Sequence, residues 1–367
     1  MPLKFLIMSG AKPNILFLLI AFTFALIMGA CAGNQLTNPD ISLITQEQGP
    51  AWPQPPQKPR IQYSGSISGP SDLGIKRSWA KKTLDALFGT EERETVMLRP
   101  YGIFVESGRI YVTDPGVSVL HIFDLTKKNY FQINKFPGGM LVSPIGVAVD
   151  NDAIYITDSA LKKLVVFDKK GNFVREIGGP DIFMRPTGIA VEENRIYVID
   201  TQGNKVLVFE KNDGKLLFHF GKNGVGNGEF NYPTHIFMGK DRLLYVTDSL
   251  NFRIQIFDPE GKFLSTLGKH GDSSGDVSKP KGIAVDSEGH IYVADADFDN
   301  VQVFDRSGNL LLVFGNTGRK KGEMTLPAGV FIDHQDRIYV ADSYNNRIQI
   351  FQYLKETNWS GERAVHK

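Results

Sequence analysis

One unit recurs along this chain, and it is clearest between Pro280 and Gly315. It reads Pro280-Lys281-Gly282-Ile283-Ala284-Val285-Asp286, a short turn, then Ile291-Tyr292-Val293-Ala294-Asp295. A second turn leads to Val301-Gln302-Val303-Phe304-Asp305, and a Ser307-Gly308 turn leads to Leu310 through Gly315. Four apolar runs of about five residues, split by polar or glycine-bearing breaks, predict a four-stranded antiparallel meander. Each run is too short for a helix and is rich in β-branched and aromatic residues.

A proline opens each copy, at Pro100, Pro144, Pro186, Pro233, Pro280 and Pro327, so the spacing is 42 to 47 residues. A Tyr-x-x-Asp run follows each time, from Tyr111 to Asp114, Tyr155 to Asp158, Tyr197 to Asp200, Tyr245 to Asp248, Tyr292 to Asp295 and Tyr339 to Asp342. One such sheet cannot bury both faces alone, so neighbours must stack round an axis. A period in the forties with four strands per copy therefore predicts an all-β fold, a six-bladed β-propeller spanning residues 100–353.

The last copy stops after a third strand, Ile348-Gln349-Ile350-Phe351, and no fourth follows before the polar tail at 354–367. Ile61, Tyr63 and Ile67 supply the missing outer strand in this reading, so the start of the chain closes the ring. Residues 60–99 thus hold the closing strand and an insertion. Within it Lys76 to Phe88 has a helical pattern, with Ile75, Trp79, Leu84, Leu87 and Phe88 on one side and Gly89 as a stop. It packs on the propeller, or serves as a lid or a membrane-surface contact through its basic side.

Charge excludes one class of function. Of 367 residues, 41 are Lys or Arg and 40 are Asp or Glu. Removing residues 1–30 takes away Lys4 and Lys12 and leaves 39 basic against 40 acidic, which is no electrostatic footprint for nucleic acid.

Those first thirty residues have a charged start, an apolar run from Ile15 to Met28, then Gly29-Ala30-Cys31, the layout of an export signal peptide. Cys31 is the single cysteine, so a disulfide within the chain is excluded. Small residues directly before Cys31 resemble the lipobox of bacterial lipoproteins, although Met28 stands where Leu is usual. The resemblance implies that Cys31 is acylated and anchors the chain to a bacterial membrane. A plain signal peptide with a free thiol is the alternative. Ala32 rather than Asp follows Cys31, which in a cell with two membranes implies the outer membrane or the periplasmic side. Residues 31–59 are polar and then proline-rich, Trp52-Pro53-Gln54-Pro55-Pro56-Gln57-Lys58-Pro59, and read as an extended tether. A proline-motif ligand for a partner is the other reading.

The pattern Pro-x-Gly-Ile-Ala-Val-Asp, followed by Ala341-Asp342-Ser343-Tyr344-Asn345-Asn346-Arg347-Ile348-Gln349-Ile350-Phe351, resembles the NHL repeat. The resemblance covers about two-thirds of the chain and implies a six-bladed propeller. It does not choose a function, because NHL proteins include RNA-binding and protein-binding modules, extracellular sensors and lyases that use the axial channel. Amidating lyases of this type place zinc-binding His directly after the opening proline. Here those positions are Tyr101, Ile145, Thr187, Thr234, Lys281 and Ala328.

Strand direction sorts the loops. Blade-to-blade connections and the loops between second and third strands share one face, called face one. The turns between first and second strands share face two.

Four candidate features follow. His235 replaces a glycine found in the other five copies and sits near the channel mouth on face one. Carboxylates end the first strand in five blades (Glu106, Asp150, Glu192, Asp286, Asp333), either as turn-starting acids or as an oxygen cage for a divalent cation. Lys163, Lys205, Arg253 and Arg347 stand five residues after the Tyr-x-x-Asp aspartates, either pairing with them or forming a partial cationic ring. Phe252, Phe298 and Tyr344 tip adjacent loops of face one, where aromatics mark contact surfaces or fold down on the helix near Trp79.

No catalytic set converges in the sequence. The expectation is a non-catalytic binding protein of the cell envelope, with no required cofactor. Its face one takes a protein or glycan partner through His235, Phe252, Arg253, Phe298, Tyr344 and Arg347. The rival is a lyase or hydrolase using His235 and the axial carboxylates with a divalent cation.

Overall fold

A computed structural model describes residues 49–74 and 97–355, except 272 and 274. The export segment, Cys31, most of the tether, the helical pattern at Lys76–Phe88 with Trp79, and the tail from 356 onward lie outside the described residues.

The repeats fold as expected. Blade 1 comprises Ile103–Glu106, Arg109–Asp114, Val119–Asp124 and Asn129–Ile133. Blades 2 to 5 begin at Pro144–Val149, Pro186–Glu192, Pro233–Met238 and Pro280–Val285, and each is a four-stranded antiparallel meander. Each first strand contacts the first strands of both neighbours, so the six of them line the axis. Six hydrophobic clusters fill the seams between blades, and five of the six Tyr-x-x-Asp tyrosines are among the largest fully buried side chains.

Blade 6 has Pro327–Ile332, Arg337–Asp342 and Arg347–Tyr353 from the end of the chain and Ile61–Ile67 from its beginning. Ile61 pairs with Tyr353, Tyr63 with Phe351 and Ile67 with Ile348. The alternating burial of Ile61–Ile67 shows why this strand was legible: Ile61, Tyr63 and Ile67 enter the seams while Gln62 and Ser64 face outward.

Residues 49–59 correct the tether reading. Ala51 and Trp52 pair with Gln62 and Ile61 as a fifth strand on blade 6. The Trp52 ring lies 5.9 Å from both Phe314 and Phe351, and a Cβ on Gly322 would come within 2.5 Å of it. Proline-rich composition disfavours a core but does not prevent one large aromatic from docking where the two chain ends meet.

Side-chain hydroxyls stitch the seams. The residue after the second-strand aspartate donates to the carbonyl of the next blade's opening proline: Ser159 to Pro186 and Thr201 to Pro233, both at 2.6–2.7 Å, and Ser249 to Pro280 at 2.7 Å. Ser343 does the same to Pro100 across the closing seam, at 2.6 Å.

Close approach of the first strands explains the glycine after the proline. A Cβ at Gly146 would stand 2.3 Å from the Thr187 carbonyl oxygen, and one at Gly329 would stand 2.2 Å from that of Tyr101. Two residues further on, blades 1, 4 and 6 carry Phe104, Phe237 and Phe331, and blades 2, 3 and 5 carry Ala148, Ala190 and Ala284. Phe104 and Phe331 are 4.8 Å apart. Phe104 reaches the blade 2–3 seam and Phe237 the blade 5–6 seam, so these rings occupy the axis rather than leave it hollow.

Candidate functional site

The aspartates of the Tyr-x-x-Asp runs are wholly buried, and each clamps the loop that precedes its own blade. Asp114 accepts from the N–H groups of Leu98 at 2.6 Å and Arg99 at 3.0 Å. Asp158 accepts from Val142 at 2.7 Å and Ser143 at 3.1 Å, and Asp200 from Met184 at 3.0 Å and Arg185 at 2.6 Å. In blades 4 to 6 the matching donors are Asn231, Ser278 and Thr325, all at 2.7–2.8 Å. Charge-assisted bonds of this kind fix backbone strongly. Burial alone would raise the Asp114 pKa, but His121 and the two N–H groups outweigh it and hold it below the usual value. At Asp342 burial wins, and the pKa is raised.

This clamp presents one residue of each blade on face one, two positions before the proline. In blades 1 to 3 that residue is Leu98, Val142 or Met184, exposed by 47%, 48% and 49%. In blades 4 to 6 it is Asn231, Ser278 or Thr325. A six-fold ring of equivalent positions is therefore apolar over one half and polar over the other. Val117, Met140 and Ile182, in the neighbouring loops of blades 1 to 3, extend the apolar half. Val225, Leu250 and Tyr344 are exposed in the face-one loops of blades 4 to 6, so the asymmetry belongs to this one ring position and not to the whole face; clustered exposed apolar residues mark contact surfaces. Sequence reasoning missed Leu98, Val142 and Met184, because an apolar residue just before Pro reads as the end of a strand or an ordinary loop residue. The available signal was the comparison of that one register position across all six copies.

Several of the residues expected to form the site have structural partners of their own. Arg253 and Arg347 are clasps. Each Nε meets its own aspartate, Asp248 or Asp342, at 2.8 Å. Nη2 of Arg253 donates to the Gly226 and Glu229 carbonyls at 2.7 and 2.9 Å, and that of Arg347 to the Lys320 and Glu323 carbonyls at 2.8 Å. Both guanidiniums thus strap an inter-blade loop to its blade, which corrects the cationic-ring reading. Lys163 pairs with Glu176 at 2.7 Å. Phe252 is half-buried, 4.0 Å from the His270 ring. Phe298 is also partly buried. Tyr344 alone of the three aromatics stands well exposed, at 53%, with the Arg99 guanidinium 5.4 Å from its ring centre.

The axial carboxylates start turns and receive tyrosine hydroxyls, which corrects the cage reading. Asp150, Asp286 and Asp333 each accept N–H groups of the following turn. Tyr155, Tyr292 and Tyr339 donate to them at 3.1–3.2 Å. Glu106 pairs with Lys169. Among the described residues, no three His, Cys, Asp or Glu side chains converge as a cation site. His235 lies on the first strand of blade 4, on the same strand side as Phe237 and nearer face one. Desolvation pushes its pKa down to about 4, so at neutral pH it is an uncharged imidazole.

Residues 140–210 and 182–243 match a family model described as a 6-bladed beta-propeller. Residues 234–314 match one described as an SMP-30/gluconolactonase/LRE-like region, and 324–351 match the NHL repeat. No curated protein matches the chain. Among solved structures, selenomethionine-substituted virginiamycin B lyase from Staphylococcus aureus is similar at 17% identity and TM-score 0.53, over 70% of this chain and 96% of that one. A structural genomics protein of unknown function from Bacteroides thetaiotaomicron VPI-5482 gives 13% and 0.56, over 70% of each chain. An auxiliary nutrient binding protein from the same organism gives 12% and 0.54, over 71% of this chain and 70% of that one. At such identities the likeness is one of fold.

Proposed function

We propose that this chain, a six-bladed β-propeller with NHL repeats, is a non-catalytic binding protein of the cell envelope, exported and held at a bacterial membrane by lipid on Cys31. Face one receives an apolar patch of a partner protein. The observation that carries this reading is the half-apolar ring, Leu98, Val142 and Met184, held outward by three buried aspartates. Aliphatic side chains on a rigid frame suit the core of a protein interface, where desolvation supplies affinity. A polysaccharide would call for aromatic platforms and polar groups, and on this face Tyr344 is the exposed aromatic nearest that description.

The axial enzyme reading has less support. Four of its five carboxylates, Glu106, Asp150, Asp286 and Asp333, are taken up by turns, cations and tyrosine hydroxyls, and Phe104, Phe237 and Phe331 stand on first strands around the axis with His235.

A photo-crosslinking amino acid placed at Val142, and separately at Ser278, tests the surface in cells. The expected result is one protein adduct from Val142, none from Ser278, and loss of the adduct when Met184→Asp is added. An adduct to polysaccharide, or equal adducts from both positions, rejects the reading. Cys31→Ser tests the anchor by fractionation: a variant that stays in the membrane fraction after a high-salt wash removes that part of the proposal.

A further inference from the structure

The residue two places before each Tyr-x-x-Asp tyrosine stands at the face-two end of a second strand. In blades 1, 3 and 6 it is Arg109, Arg195 or Arg337. Arg109 pairs with Asp124 at 2.8 Å and donates to the Lys169 carbonyl of blade 2 at 3.1 Å. Arg195 reaches the Pro259 carbonyl and Glu260 of blade 4, at 3.2 and 3.1 Å. Both guanidiniums thus span their seam to the next blade.

Blade 5 has His290 at that position, and the shorter side chain stops at its own blade. Its Nδ1 meets Asp286 at 2.8 Å. The buried Asp286 carboxylate also accepts from the Tyr292 hydroxyl at 3.1 Å and from the N–H groups of Glu288 and His290 at 2.9 Å. A carboxylate held by so many donors fixes the direction of the imidazole. Nε2, on the other edge of the ring, has no hydrogen-bond partner among the described residues.

The end of the chain crosses the blade 5–6 seam here. The Tyr353 hydroxyl donates to Glu288 at 2.8 Å, and the Lys355 ammonium meets Ser287 and Asp336 at 2.7 and 2.6 Å. These contacts leave a cavity of about 660 Å³ with His290 in its lining. The hollows beside Arg109 and Arg195 measure about 320 and 270 Å³. The larger volume falls within the usual range for small-molecule sites, roughly 300–1,000 Å³. Ile61, Val303, Leu311 and Leu312 supply apolar wall. The charged groups of the lining are Lys58, Arg60 and Glu288, and each already has a partner. A charged ligand would lose its water and meet no unpaired counter-charge, whereas a neutral one gains the apolar wall. A hydroxyl suits His290 in either protonation state, since it donates to a neutral imidazole and accepts from a protonated one.

We infer that the blade 5–6 seam binds a small uncharged molecule with an apolar body and a hydroxyl head, the hydroxyl hydrogen-bonded to His290 Nε2 and the body against Val303, Leu311 and Leu312. The site is separate from face one, and its existence does not depend on the docking proposal.

Equilibrium dialysis of the full chain against 2-naphthol, naphthalene and 2-naphthoate at neutral pH tests it. One saturable site is expected, tightest for 2-naphthol. His290→Asn keeps an amide donor for Asp286 and removes Nε2. It should weaken 2-naphthol by roughly fivefold to tenfold and naphthalene by less than about twofold. Leu311 is 50% exposed, so Leu311→Trp fills the cavity from its rim while preserving the fold, which thermal unfolding checks. It should weaken both neutral compounds about tenfold or more. Naphthoate bound as tightly as naphthol, an equal effect of His290→Asn on naphthol and naphthalene, binding that survives Leu311→Trp, or absence of saturable binding overturns the assignment.

Discussion

The N–H of Val142 donates to the buried carboxylate of Asp158 at 2.7 Å, while the Val142 side chain stands 48% exposed on the same loop. The carboxylate that fixes this loop thus also aims an exposed apolar side chain. Asp158 accepts from Ser143, Ala160 and Leu161 as well. Asp158→Ala strands four donors, and the expected loss is about 3–5 kcal/mol of unfolding free energy. Denaturant unfolding measures it, and a loss below about 1 kcal/mol would contradict the clamp.

Arg347→Ala separates clasp from ligand reader. Removing two hydrogen bonds to carbonyls and the hydrogen-bonded ion pair to buried Asp342 should cost roughly 2–4 kcal/mol. In the folded variant, adduct formation from a crosslinker at Val142 should persist. A variant of unchanged stability that loses the partner would restore Arg347 to the binding surface.

Trp52→Ala tests whether the proline-rich segment belongs to the ring. Loss of the contacts to Phe314 and Phe351 should lower stability by about 2–3 kcal/mol, read as a lower denaturant midpoint. A true tether residue would change it by less than about 0.5 kcal/mol.

His235 sets an acid dependence. Its folded pKa, about 4, lies below the ordinary histidine value of 6.5, so the unfolded chain binds the extra proton first. Its effect is absent above pH 6.5, and stability is lost as pH falls from there toward 4. His235→Gln should remove that loss, seen as a flatter stability profile between pH 6.5 and 4. Parallel profiles for the two proteins would place the imidazole in ordinary solvent.

His290 has the opposite sign. Its hydrogen bond to Asp286 raises its pKa. The stability it contributes is fully present below about pH 6.5 and fades as pH rises through the elevated value. The stability gap between the wild type and His290→Gln should therefore be larger at pH 5.5 than at pH 8.5, and a gap that grows with pH would reverse the assignment.

Much of the architecture could be read from residues alone. The prolines and Tyr-x-x-Asp runs mark six blades because each blade needs the same strand start and the same loop clamp. Ile61, Tyr63 and Ile67 announce the closing strand because a period of two is the mark of a half-buried edge. The site was less legible. An Arg five residues after a buried Asp reads equally as clasp and as ligand reader, and only the carbonyls of Gly226, Glu229, Lys320 and Glu323 decide between them. Leu98, Val142 and Met184 look unremarkable one at a time and gain meaning only as a ring.

Closure by Ile61–Ile67 has a consequence for how the molecule comes into being. The strand synthesised first finds its hydrogen-bonding neighbour, Arg347–Tyr353, only when nearly the whole chain has been made. Contacts of such sequence separation form late, since the chain entropy lost in bringing the ends together is repaid only at completion. A ribosome-bound fragment can build sheets one after another, yet Ile61–Ile67 lacks its neighbour in blade 6 until translation is nearly complete.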